Sequence, residues 1–562
     1  MKTRFSTLVT SALALAMAAS AQAATIVVNA DITSDTTWTS NNVYDLTTQV
    51  YVTNGATLTI EPGTIVASTP TVNGSGSLAV TRGANIVANG TAGRPIIFTS
   101  TNDVATWDVQ AGTSTGRNPK TGDWRLAANE WGNITIMGNG YISNFGKNAP
   151  IAGNAATPGA NVAPMEGLTE GFPGDTRILY GGTDDADDSG SLQYVSIRYA
   201  GRVVGLGNEL NGLSLGGVGR GTEINNIEIM NNVDDGIEIW GGTVNLKNFA
   251  IWNVGDDSLD IDQGWRGKAQ FGLIVQGMSL ANGSQGGGVG DNIIEIDGAE
   301  GAASQPVTST LIYNMTLVGE PNLGDHAIEY RDGARLQFRQ GIITEVGDRL
   351  ISGADNASDG EGTITGYGNG GTLLFFNTAT PANPHTWNTA FNDAGAYTVN
   401  AGTGTGAPSA LYTSQSAGDA TIGQGFLNEV TDTVIFDVLS FTRANEVGVT
   451  VAGGSNAAKG NVVDVASPLT SIVRSAPQTA GGALGNIELV TTLDPRPVGA
   501  AVTKAAANGS TPADGFFTEV SYRGAFSSNQ AQNWLNGWSA ANAFGFVAST
   551  PGSNVSDWDM MN

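Results

Sequence analysis

A repeat constrains this chain more than any other feature. Asn226-Ile227-Glu228-Ile229, Asn248-Phe249-Ala250-Ile251 and Gln270-Phe271-Gly272-Leu273 align without a gap at a spacing of 22 residues. Ile227, Phe249 and Phe271 fall in one apolar column, and Ile229, Ile251 and Leu273 in another. A second short strand repeats with them: Gly236-Ile237-Glu238-Ile239 aligns with Ser258-Leu259-Asp260-Ile261. With insertions it continues into "NIIEID" (Asn292 to Asp297) and "HAIEYR" (His326 to Arg331), and upstream "NGLSLGG" (Asn211 to Gly217) fits the same slot. A strand points alternate side chains to opposite faces, so Ile237 and Ile239 turn inward and Glu238 outward. Units of this size cannot bury an apolar face alone and must stack on their neighbours. The expected fold is all-β: a right-handed parallel β-helix, a solenoid with turns of about 22 residues. A leucine-rich repeat has a similar period, but its Leu/Asn consensus and helical back are absent; a propeller needs longer repeats of four antiparallel strands.

The rest of the chain arranges itself around that coil. Lys2 and Arg4, the apolar run "LVTSALALAMAAS" and Ala21-Gln22-Ala23 read as a secretory signal over 1–23, which places the protein outside the cytoplasm, secreted or on the cell surface. No later apolar stretch is long enough to span a bilayer. Residues 24–370 are assigned to the β-helix, beginning with "VYVTNGATLTIEPGTIVAS" and "GSLAVTRGANIVANG". Turn-rich segments at about 101–130 and 146–190 are expected as projecting loops. Residues 371–562 are expected as a β-rich extension ending in an aromatic cap, "NWLNGWSAANAFGF", over the last turn. The chain has no cysteine, which excludes disulfides and a lipid-anchored lipoprotein. Its formal charge of −26 argues against nucleic acid and anionic membrane as partners and is compatible with divalent cations and glycans.

Stacked turns lie about 4.8 Å apart, so equivalent outward residues form ladders. One ladder contains Ser214, Glu238, Asp260, Glu295 and Glu329; the next contains Gly216, Trp240, Asp262, Asp297 and Arg331. Stacked carboxylates repel one another unless something offsets the charge. Calcium held by Asp256, Asp257, Asp260 and Asp262 is one candidate offset. Pairing with Arg266, Lys268 or Arg331 is a second, and screening of a solvated face is a third. Trp240 and Trp265 beside the carboxylates suit stacking on sugar rings; the alternative is a tryptophan covered by the 146–190 segment. These residues together make up the expected ligand-binding face.

The opening turns and "WGNITIMG" resemble secreted bacterial proteins of the pectin-lyase-like β-helix class. Around the repeats, Asp235 before Gly236, and Asp256-Asp257 after Gly255, resemble motifs of polygalacturonase-type glycoside hydrolases. That resemblance implies Asp235, Asp256 and Asp257 as the catalytic carboxylates of an inverting hydrolysis. The sequence departs from the family at Val233, where an asparagine is expected, and it lacks the family's Gly-His-Gly and Arg-x-Lys motifs at their expected places. The longer stretch "GGTVNLKNFAIWNVGDDSLDIDQGWRGKAQFGLIVQG" resembles large surface β-helix proteins of bacteria, which implies a fold and a location rather than a reaction. The expected function is therefore non-catalytic binding of extended glycan or extracellular matrix through the acidic and aromatic face over 228–331, with no cofactor required and calcium as the candidate ion. The alternatives are a polysaccharide-degrading enzyme, hydrolase or lyase, and a structural or adhesive surface stalk.

Overall fold

The computed structural model describes residues 24–71, 76–109, 117–143, 162–168, 175–205, 208–279, 288–298, 308–331, 334–353, 429–440, 460–479, 486–505, 511 and 514–548. The signal segment, residues 354–370 of the expected β-helix and residues 371–428 of the expected extension lie outside the described residues. Nine short strands stack in chain order into one parallel sheet: Gln49–Val52, Ser77–Val80, Ile134–Met137, Leu213–Gly216, Ile237–Trp240, Leu259–Asp262, Ile294–Ile296, Ile328–Tyr330 and Ile351–Gly353. One strand per turn, always parallel and always beside its sequence neighbour, makes this front sheet one wall of a β-helix. A second, eighteen-stranded sheet supplies the other walls, with strands such as Glu223–Met230 and Asn245–Trp252 that bend once along their length.

The inward columns close one continuous core. Val50, Leu78, Ile134, Leu213, Ile237, Leu259 and Ile294 follow one another in register, all fully covered, and the cluster they belong to runs from Ile32 to Ile435. Each such side chain contributes roughly 1.5–3 kcal/mol by leaving water. At the bend of the second sheet, one residue per turn adopts the left-handed conformation, among them Asn226, Asn248 and Asn314 at φ 54°, 54° and 53°. Asparagine tolerates this region better than other residues with a side chain.

The third repeat departs from the gap-free alignment. Ile227 pairs with Phe249 and Ile229 with Ile251, but Phe249 pairs with Gly272 and Ile251 with Ile274. Trp240 still pairs with Asp262, whereas Leu246 pairs with Ala269, so one extra residue enters the turn after Asp262. A one-residue slip exchanges inside for outside. Phe271 is thereby moved from the core column to the left-handed corner, at φ 61°, and Leu273 faces out of the coil into a second apolar cluster. Gly272 takes the place opposite Phe249 because a Cβ there would run into that ring and Met315.

The described part of the aromatic C-terminal region lies along the side of the coil instead of over its last turn. Leu469, Val490, Phe526, Leu535, Trp538 and Phe546 pack against Met230, Trp252, Leu273, Val318, Ile342 and Val434, which belong to successive turns. The physical reason is that the third-repeat slip and the neighbouring strands present apolar side chains outward on that flank. Buried Glu228 fastens one end by accepting hydrogen bonds from the backbone N–H groups of Ala540 and Ala541 at the start of the short helix Ala540–Ala543. Arg523 fastens the other by an ion pair to Asp432 at 2.6 Å. The described parts of the two inserted segments also lie down rather than project. Trp107 packs on Ile65 and Ile97, while Met165, Leu168, Ile178 and Tyr180 cover the outer face of the front sheet over Tyr51, Ala79, Met137 and Trp240.

Candidate functional site

The outward ladder has the register that strand alternation implies. Ser214 pairs with Glu238, Glu238 with Asp260, Asp260 with Glu295, and Glu295 with Glu329. Two further columns stand beside it in the turn that leads into each strand. Four residues ahead of the ladder are Asp234, Asp256, Asp291, Asp325 and Asp348; three residues ahead are Asn211, Asp235, Asp257, Asn292, His326 and Arg349. Asp291, Asp325, Asp348, Asn211 and Asn292 were missed from the sequence, although "DN" before "IIE" and "DH" before "AIE" carry the same offsets as the two Asp-Asp pairs.

Backbone hydrogen bonds lock these columns turn on turn. Asp291 N–H donates to the Asp256 carbonyl, Asp325 N–H to Asp291 and Asp348 N–H to Asp325, at 3.1, 3.1 and 3.3 Å. In the inner column side chains accept from the following turn. Asn211 Oδ1 receives Asp235 N–H at 3.2 Å, Asp235 Oδ1 receives Asp257 N–H at 2.9 Å, and Asp257 Oδ1 receives Asn292 N–H at 2.6 Å. An aspartate is well suited to this role because its short side chain reaches a neighbouring backbone amide from a turn.

Nine carboxylates of the strip divide by their surroundings. Asp234, Asp235, Glu238, Asp256 and Asp257 are each at least nine-tenths covered, with Asp260 and Asp291 half-buried. Burial pushes Asp234, Asp235, Glu238 and Asp257 well above the usual carboxylate range, and neighbouring carboxylates, including Glu166 from the covering segment, push them further. Asp291 rises to about 6, again by burial first and then by the Asp325 charge. No ion pair joins Asp234, Asp235, Glu238 or Asp257 to a cation among the described residues. Asp234 Oδ1 and both carboxylate oxygens of buried Glu209 also lack a hydrogen-bond partner there. Glu295 and Glu329 are tied instead to the Asn292 amide at 2.9 and 3.1 Å, and Glu295 also pairs with Arg331.

This geometry fits hard divalent cations. Carboxylate oxygens of Asp234, Asp235 and Asp256 lie within 4.8 Å of one another, as do those of Asp235, Glu238 and Asp260, and those of Asp256, Asp257 and Asp291. Oxygens bound to one calcium ion at about 2.3–2.6 Å stand at most about 5 Å apart, so each trio matches one ion. Asp262 joins none of these groups, because Gln263 N–H engages it and its place in the ladder is two residues further along the strand. A fourth group, Asp325, His326 and Asp348, already carries its own cations: His326 Nε2 lies 2.8 Å from Asp325, and Arg349 reaches both His326 and Asp348. His326 is pushed up to about 9; burial opposes the charge, and the hydrogen bonds to Asp325 and Glu329 outweigh it.

Several expected binding residues are placed elsewhere. Trp240 is no exposed platform: it is 4% exposed, packed under the inserted segment with its ring 6.2 Å from Tyr180. Trp265 is fully buried in the core, its indole N–H bonded to the Val244 carbonyl. Arg266 turns away from the ladder to form a buried two-point pair with Asp185 at 2.5 and 2.8 Å. Lys268 faces the other sheet and pairs with Asp514 at 2.6 Å. Trp240, Arg266 and Lys268 are drawn off by partners distant in sequence, and Trp265 by the neighbouring turn. Asp297 and Arg331 do lie at the strip, 3.2 Å apart and paired with each other.

The sequence matches the family described as "Pectate-lyase like beta helix domain" over residues 30–413. The chain belongs to that family. The match covers most of the chain and agrees with the stacked parallel sheets; it connects the family's fold with a polysaccharide-related role. No curated protein and no solved structure matches the chain. Among the described residues of this β-helix protein, no helix is long and apolar enough to cross a membrane.

Proposed function

We propose that this pectate-lyase-like β-helix protein binds acidic polysaccharide outside the cytoplasm, secreted or displayed at the cell surface, through divalent cations, calcium foremost, held on the front sheet. The observation that carries this reading is the convergence of Asp234, Asp235, Glu238, Asp256, Asp257, Asp260 and Asp291 into three adjacent oxygen trios. A cation in each trio offsets the repulsion that raises these carboxyls, and half-buried Asp260 and Asp291 leave coordination positions open toward solvent. A glycan carboxylate and its ring hydroxyls are hard oxygen donors that complete such a shell. Binding through a cation is favoured because one oxygen of each carboxyl in a trio lies within 4.8 Å of the others, the reach of a single ion.

Hydrolysis or lyase chemistry by Asp235, Asp256 and Asp257 is the second reading. It is supported by the protonated state that burial favours for Asp235 and Asp257, which suits a general acid. One experiment separates the two. Acidic polysaccharides are titrated into the protein in calcium and in chelator, and the mixtures are assayed for new reducing ends and unsaturated products. Calcium-dependent binding without product supports the binding role. Product that Asp257→Asn abolishes replaces it with the enzyme, and the absence of calcium-dependent binding removes the proposal.

A further inference from the structure

A cleft of about 260 Å³ opens on the second sheet, between the strands Glu223–Met230 and Asn245–Trp252 and the C-terminal segment at Gly515 and Phe516. It is lined by Arg220, Glu223, Asn225, Asn245, Lys247 and Phe516. Its position is separate from the carboxylate strip, because Glu223, Asn225, Asn245 and Lys247 are outward residues of the second sheet. It places two cations, Arg220 and Lys247, near one carboxylate, Glu223, in a chain that has only 25 lysines and arginines against 51 acids.

The hydrogen bonds already made around the cleft leave its donors available. Asn225 Oδ1 accepts from Asn226 at 2.9 Å and Asn245 Oδ1 accepts from Lys268 N–H at 2.9 Å, so both side-chain NH₂ groups are without a partner among the described residues. Arg220 is exposed and its guanidinium makes no ion pair there. Lys247 Nζ is fixed by the Phe516 carbonyl at 2.6 Å and Thr518 Oγ1 at 2.8 Å, and it stands 5.2 Å from the Phe516 ring centre. That arrangement holds the ring at the wall of the cleft and keeps a positive charge beside it. Two amide donors, a free guanidinium, one carboxylate acceptor and an aromatic ring form a set that complements a hydroxylated ring bearing a negative charge. The volume lies just under the roughly 300–1,000 Å³ of sites for drug-sized ligands, which is room for one or two sugar rings.

We propose that this cleft is a second carbohydrate site, independent of metal, that takes one acidic sugar unit: its carboxylate on Arg220, its hydroxyls on Asn225, Asn245 and Glu223, and its ring against Phe516. The inference rests on the polysaccharide reading above and adds a second point of attachment, through which a chain held on one face is gripped on another or two chains are joined. Linking two weak sites raises overall avidity without new contacts.

The test is calorimetric titration of the whole protein with a galacturonate tetrasaccharide in chelator, where the carboxylate strip holds no metal. Binding is expected there, weakened about tenfold or more by Arg220→Ala, as loss of a charge-assisted hydrogen bond implies. Asp257→Asn is expected to leave this chelator-resistant binding intact. Arg220 is exposed, so its substitution does not threaten folding; Asn225→Ala with Asn245→Ala provides an independent second variant and is expected to weaken binding as well. No binding in chelator, equal binding of a neutral galactose tetrasaccharide, or affinity unchanged by Arg220→Ala overturns the inference. Binding seen only with calcium overturns the cleft and retains the strip. Binding that calcium does not strengthen retains the cleft and removes the strip.

Discussion

Upstream of Asn292, the strip stacks Asp234, Asp235, Glu238, Asp256 and Asp257 without an ion-pairing cation for Asp234, Asp235, Glu238 or Asp257 among the described residues. Downstream, the same three columns contain Asn292 and His326 in place of aspartates, and Arg331 and Arg349 stand beside Glu295, Asp297 and Asp348. Backbone geometry is shared; in both halves N–H groups bond carbonyls of the adjacent turn, as Gly236 N–H does to Asp257 upstream and Ala327 N–H to Arg349 downstream. The difference is where the countercharge comes from. Downstream it is built into the chain, and upstream the acidic oxygens are drawn within reach of one another with no cation of the described residues ion-paired to Asp234, Asp235, Glu238 or Asp257. A repeat fold permits this because each turn fixes position while leaving outward chemistry free to change from turn to turn.

The largest expected effect is a cation response confined to the upstream half. Calcium at a hundredfold excess over its Kd should stabilise the protein by about 2.7 kcal/mol. Thermal or urea unfolding measures it, and Asp235→Asn with Asp257→Asn should remove the response, while Arg331→Ala should leave it. A melt indifferent to calcium and chelator would dissolve the contrast between the halves.

The next effect is on pH dependence. In metal-free protein the folded state holds protons on Asp234, Asp235, Glu238 and Asp257 more tightly than the unfolded chain does. Their contribution is therefore greatest below the ordinary carboxylate range and declines as pH rises from about 4 toward the raised values. Saturating calcium competes with those protons and should flatten or reverse this slope. His326 belongs to a different window. Its contribution is complete below its unfolded value of 6.5 and is lost as pH rises through about 9. His326→Gln should abolish the alkaline decline and leave the acidic one, as measured by urea midpoints across the pH range.

The smallest effect is the loss of a single downstream cation. Arg331 is partly exposed, so Arg331→Ala should cost about 1 kcal/mol in urea unfolding by removing the guanidinium that pairs with Glu295 and Asp297. The same variant should create a weak calcium response downstream if countercharge is what distinguishes the halves. A variant that loses stability yet gains no calcium response would place the distinction in burial instead.

Much of this was legible in the residues. Strand alternation has a period of two, so Ile237-Glu238-Ile239 and Leu259-Asp260-Ile261 set inside and outside without knowledge of anything distant. The ladder through Glu238, Asp260, Glu295 and Glu329 follows from that local rule. The neighbouring Asp291 and Asp325 carried a signal too, a fixed distance of four residues to the ladder, but it competes with the ordinary use of aspartate in turns. For Trp240 the sequence left two outcomes, an exposed platform or cover by the 146–190 segment, and Lys268 was not legible. Whether an outward side chain meets solvent or protein depends on what lies over it, and Tyr180 and Asp514 arrive from 60 and 246 positions away.

The sequence by itself determined the β-helix, the direction of each side chain and the acidic ladder, because all three depend on spacing within and between adjacent turns. Only the tertiary structure decided three further things: the extra residue that turns Phe271 to the corner, the cover over Trp240, and the binding of the C-terminal segment along the flank. It also decided that the upstream carboxylates sit in a low-exposure site where their charges act strongly on one another. Those outcomes depend on contacts between segments far apart in the chain, and no local period encodes them.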